Sequence, residues 1–192
     1  MAESRWGGTV RKLWLSENEM FRGHLMRLDR EARRLRFGVA VNNDFIADYV
    51  SHTGDPKCLV YGYFVDGEMR AAAELRLLGD GSPVDAEGAF SVEAAHQNQG
   101  IGTELLGRII RAARNRNVSR LYMSCLAENR KMQRLCRKYE AELHFDRSEV
   151  MGRIIPAPST YISLWQEAVD DSSGFVLAAM DLKERVSAFL RG

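Results

Sequence analysis

Several things are missing from this chain, and each absence excludes something. Cysteine is scarce: Cys58, Cys125 and Cys136 cannot all pair within one chain, they lie in apolar runs, and no Cys-x-x-Cys spacing occurs. A disulfide-stapled scaffold is therefore not expected, and a reduced, cytoplasmic setting is the simpler expectation. Charge of one sign is not in excess. The 27 lysines and arginines against 26 aspartates and glutamates give a net charge of +1, which argues against a strongly electrostatic partner such as bulk nucleic acid. No stretch approaches the roughly 18 to 20 apolar residues that a membrane-spanning helix needs, and Met1 to Gly8 lacks the anatomy of a signal peptide. The four histidines, His24, His52, His96 and His144, show no ligand spacing with cysteine or carboxylates, so no metal is expected. Neither an internal repeat nor a low-complexity tract is visible. What remains is 192 residues of ordinary globular composition, 45% hydrophobic, enough for one domain with a sizeable core.

The pattern along the chain mixes both periodicities. Thr9 to Leu15 alternates polar and apolar residues, as a half-buried strand does. Ser16-Glu17-Asn18-Glu19 has the form of a capping box before a helical run through Leu28. A second helical piece follows from Asp29 to Leu35, and Asn43 or Asp44 is placed to cap a third with Phe45, Ile46, Tyr49 and Val50 on its apolar face. Cys58 to Val65 and Glu68 to Leu78 flank Asp66-Gly67, a two-residue hairpin signal. Glu87 to Val92 and Leu121 to Leu126 read as strands and Glu104 to Asn115 and Asn129 to Tyr139 as helices, with closing strands at Leu143 to Phe145 and Glu149 to Ile155. Arg108, Arg111 and Arg114 fall on the outer side of their helix, either simply solvated or reaching an anionic ligand. The core then spans 9–156. A C-terminal extension, 157–192, reads as two helices, Ser159 to Val169 and Phe175 to Leu190. Phe175, Ala179, Leu182, Val186 and Phe189 form an apolar stripe on the second, either packed on the domain or open to a second copy in a homodimer.

The chain is organised around His96-Gln97-Asn98-Gln99-Gly100-Ile101-Gly102-Thr103, which joins a strand to a helix. Glycines at i and i+2 let the main chain approach a ligand closely, and the helix behind them offers unpaired N–H groups and the positive end of its dipole. Such a corner favours an anion, most often phosphate. A plain glycine hinge is the alternative. The spacing lacks the third glycine of a dinucleotide fingerprint and the Gly-Lys-Ser/Thr of a Walker loop.

Gln97, Gly100 and Gly102 resemble the Gln/Arg-x-x-Gly-x-Gly/Ala pyrophosphate loop of the GCN5-related N-acetyltransferases (GNAT). The block Leu126-Ala127-Glu128-Asn129-Arg130-Lys131-Met132 and the stretch Leu25 to Phe37 are similar to bacterial protein-lysine acetyltransferase domains of that superfamily. The resemblance runs over roughly Thr9 to Ile155. It implies an α/β (α+β) fold, a mixed, mostly antiparallel sheet with helices on both faces, whose central strands splay around acetyl-CoA as cosubstrate. By the same resemblance the main-chain amides of Gln99, Gly100, Ile101 and Gly102, with Thr103, hold the diphosphate. Val92 pairs with the pantetheine arm like an added strand. Asn129 contacts the coenzyme near its thiol end, and as an alternative or in addition caps its helix.

Acetyl transfer to an amine needs a base for the amine, donors for the oxyanion and a proton for the leaving thiolate. Glu87 lies on the strand into the glycine turn, ten positions before Gln97, and the resemblance to acetyltransferases that place a glutamate at about this point makes it the candidate base; a solvent-facing edge charge is its alternative. Glu93 and Glu74 stand in reserve, Glu74 because it interrupts an apolar strand. Where many family members carry a tyrosine seven positions after the asparagine, this chain has Cys136, a candidate acid or a core residue, with Tyr139 as a weaker alternative. The family's glycine-phenylalanine pair is replaced by Glu140-Ala141. The expected activity is acetyl-CoA-dependent transfer to an amine, a protein lysine or a small molecule. The alternatives are an acyl-CoA-binding regulatory module with little or no catalysis, and an interaction protein that assembles through the C-terminal helices.

Overall fold

The computed structural model describes residues 7–81 and 83–189, with the backbone alone for 184–189. The strands are β1 (Thr9–Lys12), β2 (Cys58–Val65), β3 (Glu68–Leu78), β4 (Val84–Val92), β5 (Val118–Leu126), β6 (Glu142–Asp146) and β7 (Glu149–Ile154). They form one seven-stranded sheet in the order β1-β2-β3-β4-β5-β7-β6. Every neighbouring pair is antiparallel except β4 and β5. The hairpin between β2 and β3 turns at Asp66 and Gly67, both at positive φ, 51° and 71°. That is the backbone an Asp-Gly two-residue turn supplies.

Alternation on the strands separates two cores. Ala71, Ala73, Leu75, Ala86, Leu121 and Met123 join the buried face of α4 (Ile101–Asn115), notably Leu105, Leu106 and Ile109. Each such leucine or isoleucine, fully buried, stabilises the fold by about 1.5–3 kcal/mol. The opposite face, with Val60, Phe64 and Ala72, packs under α1 (Asn18–Arg27), α2 (Arg30–Phe37) and α3 (Asn43–Ser51). Helix α5 (Arg130–Lys138) lies on the α4 side, with Met132, Leu135 and Cys136 joining that core. The mixed, mostly antiparallel sheet with helices on both faces is as expected.

Some local expectations change. The capping box at Ser16 does not form. Glu17, 8% exposed, instead grips the buried Arg11 guanidinium at 2.7 Å and accepts from the Trp14 N–H. The cap of α3 is Asn42, not Asn43 or Asp44; its Oδ1 accepts from the Phe45 N–H at 2.9 Å. The C-terminal pair of helices is one helix, α6 (Tyr161–Phe189), running straight through Ser172-Ser173-Gly174. Gly174 is tolerated mid-helix because α6 crosses β1 there: a Cβ on it would lie 3.2 Å from the Arg11 Cβ. Arg108, Arg111 and Arg114 are not simply solvated, since each is tied to the C-terminal segment. Arg108 and Arg111 pair with Asp170 of α6, and Arg114 donates to the Pro158 carbonyl just before it.

Candidate active site

The site begins where the sheet opens. β4 and β5 pair from Val84↔Val118 to Glu87↔Tyr122 and then part, leaving Gly88 to Val92 without a partner on that side. The Glu93 N–H bonds to the Arg70 carbonyl, so by ladder alternation Gly88, Phe90 and Val92 turn their main-chain groups toward the gap. The Val92 carbonyl accepts from Gln97 Nε2 at 2.9 Å. Gln97 thereby ties the loop to the strand that leads into it, and its Oε1 accepts from Lys131 Nζ at 2.5 Å.

The loop itself turns through Asn98 (φ 60°) and Gly100 (φ 91°), the latter at the N-cap of α4. A left-handed φ of that size is glycine's province. The Gly100 carbonyl accepts from the N–H groups of Thr103 and Glu104. The N–H groups of Gly100, Ile101 and Gly102 find no acceptor among the described residues, as the first turn of a helix leaves them. Gln99 Nε2 is used within the loop, donating to the Ala95 carbonyl at 3.0 Å. Thr103 lies under α5: its carbonyl accepts from the Tyr139 hydroxyl at 2.7 Å, and its Oγ1 from Lys138 Nζ at 3.4 Å. Asn129 caps α5, its Oδ1 accepting from the Met132 N–H at 3.1 Å, which leaves its amide NH2 without a partner among the described residues.

On the other face of the sheet the same fork opens into a cavity of about 280 Å³. Its walls come from the end of α2, from α3 and from β3, β4, β5 and β7, with Glu74, Arg76, Glu87 and Glu149 among the charged members. Glu87 is exposed and stands at the last paired position before the strands separate. Glu74, 3% exposed, is held by Arg36 and accepts from the Tyr49 hydroxyl at 2.7 Å. Burial alone would lower the Arg36 pKa, but Glu74 and Tyr49 outweigh it and hold the guanidinium above its ordinary value. Burial pushes the Tyr49 hydroxyl up to about 12.

Glu93 belongs to a separate cluster, bonded to Arg27, Arg70 and the fully buried His24, whose Nε2 meets Ser91 Oγ at 2.9 Å. Burial would raise the Glu93 pKa, but the hydrogen bond to His24 and then Arg27 bring it down to about 2. Cys136, 1% exposed, lies in the core against Gly152, and burial pushes its thiol up to about 11. The structure therefore brings Glu87 to the fork and sets Val92 and the glycine loop along the gap. It does not bring Cys136 or Glu93 to the cavity wall. His96 packs edge-on against Tyr63.

The sequence model of the acetyltransferase (GNAT) family matches residues 22–140. The chain belongs to this family. It is thus an acyltransferase, and acetyl-CoA is the cosubstrate of such enzymes. Among solved structures, the GNAT domain of S. lividans PAT is similar at 22% identity and a TM-score of 0.67, over 77% of this chain and 90% of that one. yncA, a putative acetyltransferase from Salmonella typhimurium with its cofactor acetyl-CoA, matches at 15% identity and a TM-score of 0.59, over 80% and 96%. A ribosomal-protein-alanine N-acetyltransferase from Brucella melitensis matches at 16% and 0.59, over 77% and 99%. No curated protein sequence is significantly similar.

In this GNAT fold, sequence reasoning missed the wall of the cavity. Arg36, Tyr49, Arg76 and Glu149 carry no motif, and the alternation of β3 was the one available signal, placing Arg76 on the same face as Glu74. Lys131 and Lys138, both exposed and both touching the loop, were also overlooked; their spacing of seven along α5 was the clue. Among the described residues no group of histidine, cysteine or carboxylate side chains is arranged to hold a metal ion, and no helix is long and apolar enough to cross a membrane.

Proposed function

We propose that this GNAT protein transfers an acetyl group from acetyl-CoA directly to an amine, with Glu87 as general base. The observation that carries the reading is the coincidence at one fork. β4 and β5 separate at Glu87, the free edge of β4 leads to the loop, and the cavity opens beside it. The open N–H groups of Gly100, Ile101 and Gly102 suit a diphosphate, with Gln99, Thr103, Lys131 and Lys138 around them. Val92 offers its N–H to the pantetheine arm, and the Asn129 amide is available at the far side of the gap. An amine held in the cavity is mostly protonated at neutral pH, because its ordinary pKa is about 10. Glu87 takes that proton, directly or through one water. Attack on the thioester carbonyl forms the C–N bond, the nitrogen gives up its second proton to solvent, and collapse breaks the C–S bond and expels the thiolate. With Cys136 in the core and the Tyr139 hydroxyl engaged by Thr103, the thiolate takes its proton from solvent.

The test follows free thiol during incubation with acetyl-CoA and amine acceptors. We expect acceptor-dependent release, and for Glu87→Gln a fall in kcat of about 100-fold or more with CoA affinity unchanged. Unaltered turnover removes Glu87 from this role. Thermal stabilisation by CoA with no turnover favours the regulatory reading instead. A second proposal concerns α6, whose exposed apolar side meets the same side of a second copy in a homodimer.

A further inference from the structure

The charges in the cavity do not cancel. Arg36 and Glu74 neutralise each other at its inner wall. Arg76, Glu87 and Glu149 also line it, and none of the three makes an ion pair among the described residues. Arg76 and Glu87 are register partners across β3 and β4, so their side chains leave the same face of the sheet with Cβ atoms about 5 Å apart. They are nevertheless not paired: the guanidinium lies beside the Tyr49 hydroxyl instead. A cation and a carboxylate thus stand side by side, open to the same space, at the point where the sheet forks.

We infer that the acceptor is a free α-amino acid, its carboxylate held by Arg76 while its amino group faces Glu87. This rests on the acetyl-transfer reading and narrows it. An α-amino acid carries its ammonium and carboxylate groups on one carbon, so a cation and a carboxylate opening on the same small space can engage both at once. The guanidinium offers a planar fork of donors that a carboxylate fills with two bonds. Leu35, Phe37 and Leu126 line the same cavity and receive an apolar side chain. A volume of about 280 Å³ suits a single amino acid better than a peptide. A protein lysine brings an amine with no carboxylate near it and leaves Arg76 beside the Tyr49 hydroxyl without a carboxylate of its own.

The experiment compares leucine, methionine and phenylalanine with their amides and with a lysine-containing peptide, by thiol release and by calorimetric binding to the CoA-saturated protein. The acids should exceed the amides in kcat/KM and in affinity by about tenfold or more. In Arg76→Gln the acid-to-amide ratio should collapse to within about twofold, and Arg76→Lys should restore part of it. Equal use of acids and amides, a preference for the peptide, binding of neither form, or a preference that survives Arg76→Gln overturns the inference. A carboxylate preference in binding that depends on Arg76, without thiol release from any acceptor, supports this site and sinks acetyl transfer. Efficient turnover of amides and peptide alike sinks this site and leaves acetyl transfer standing.

Discussion

Arg36 and Glu74 have side chains only 7% and 4% exposed, and the Tyr49 hydroxyl completes their contact. A base must be free to accept a proton, and Glu74 has its oxygens committed. Removing its charge strands the Arg36 guanidinium in the core. Breaking a buried pair in that way costs about 3–5 kcal/mol, so Glu74→Gln should lose that much stability in urea unfolding. Its kcat should follow the folded fraction. Stability within about 1 kcal/mol of wild type together with a collapsed kcat would make Glu74 the base instead. The His24–Glu93 contact yields a pH prediction. Burial lowers the His24 pKa below its ordinary 6.5, outweighing the opposing pull of Glu93. The unfolded chain therefore takes up that proton first, and the contribution of neutral His24 is complete above pH 6.5 and falls away as the pH drops. Glu93, held at about 2 against an ordinary 4.5, adds stability that is present above 4.5 and fades toward 2. Both slopes have one sign, so the urea midpoint should fall from pH 7 to 5 and again below 4.5. His24→Gln should flatten the first step, and a wild-type midpoint constant from pH 7 to 5 contradicts the assignment.

At the scale of elements, the glycine turn is the part that local chemistry determines most tightly. Gly100 at φ 91° caps α4, and a β-branched side chain there meets both backbone strain and the space a diphosphate needs. Gly100→Val should abolish the rise in melting temperature that CoA gives to the wild type, while α4, anchored by Leu105, Leu106 and Ile109, stays folded by circular dichroism. Retained CoA stabilisation in that variant rules out the proposed cradle. This strand–turn–helix was readable in the sequence because its determinants are consecutive: two glycines, a run of β-formers and a helical period. The hairpin at Asp66-Gly67 was readable for the same reason. The cavity was not, since Arg36, Arg76, Glu87 and Glu149 lie on four separate elements that meet through sheet topology. Helix α6 was legible only in part, its apolar stripe marked and the direction of that stripe left open. Periodicity marks an apolar face but not the direction in which it points. Glu167, Asp170, Asp171 and Asp181 also recur at helical spacing, and their arginine and lysine partners lie on α4, β1 and the residue after α4. That polar face turns inward. Phe175 and Leu182 of the expected stripe remain 58% and 55% exposed, and the side chains of Val186 and Phe189 lie outside the described residues.

For the whole molecule, the consequence is an apolar surface that none of the described residues covers. Ile162, Trp165, Val169, Val176 and Met180 follow one another at helical spacing along α6, each between 44% and 69% exposed. The helix has 29 residues and at 1.5 Å per residue is about 43 Å long. Continuous apolar patches on that scale mark interaction surfaces. The homodimer proposed above would bring the same stripe against itself across a two-fold axis, the self-complementary arrangement that most homodimers use. The ion pairs that dock α6 on its own chain lie on the opposite side of the helix, so a substitution at the stripe leaves the fold alone. Sedimentation should accordingly show the wild type at twice the monomer mass, dissociating on dilution. Trp165→Glu, which places a charge at the centre of the stripe, should sediment as a monomer with a melting temperature no lower than that of the diluted wild type. A wild-type protein monomeric at every concentration leaves the stripe without this partner, whereas a Trp165→Glu protein still dimeric moves the contact to another surface.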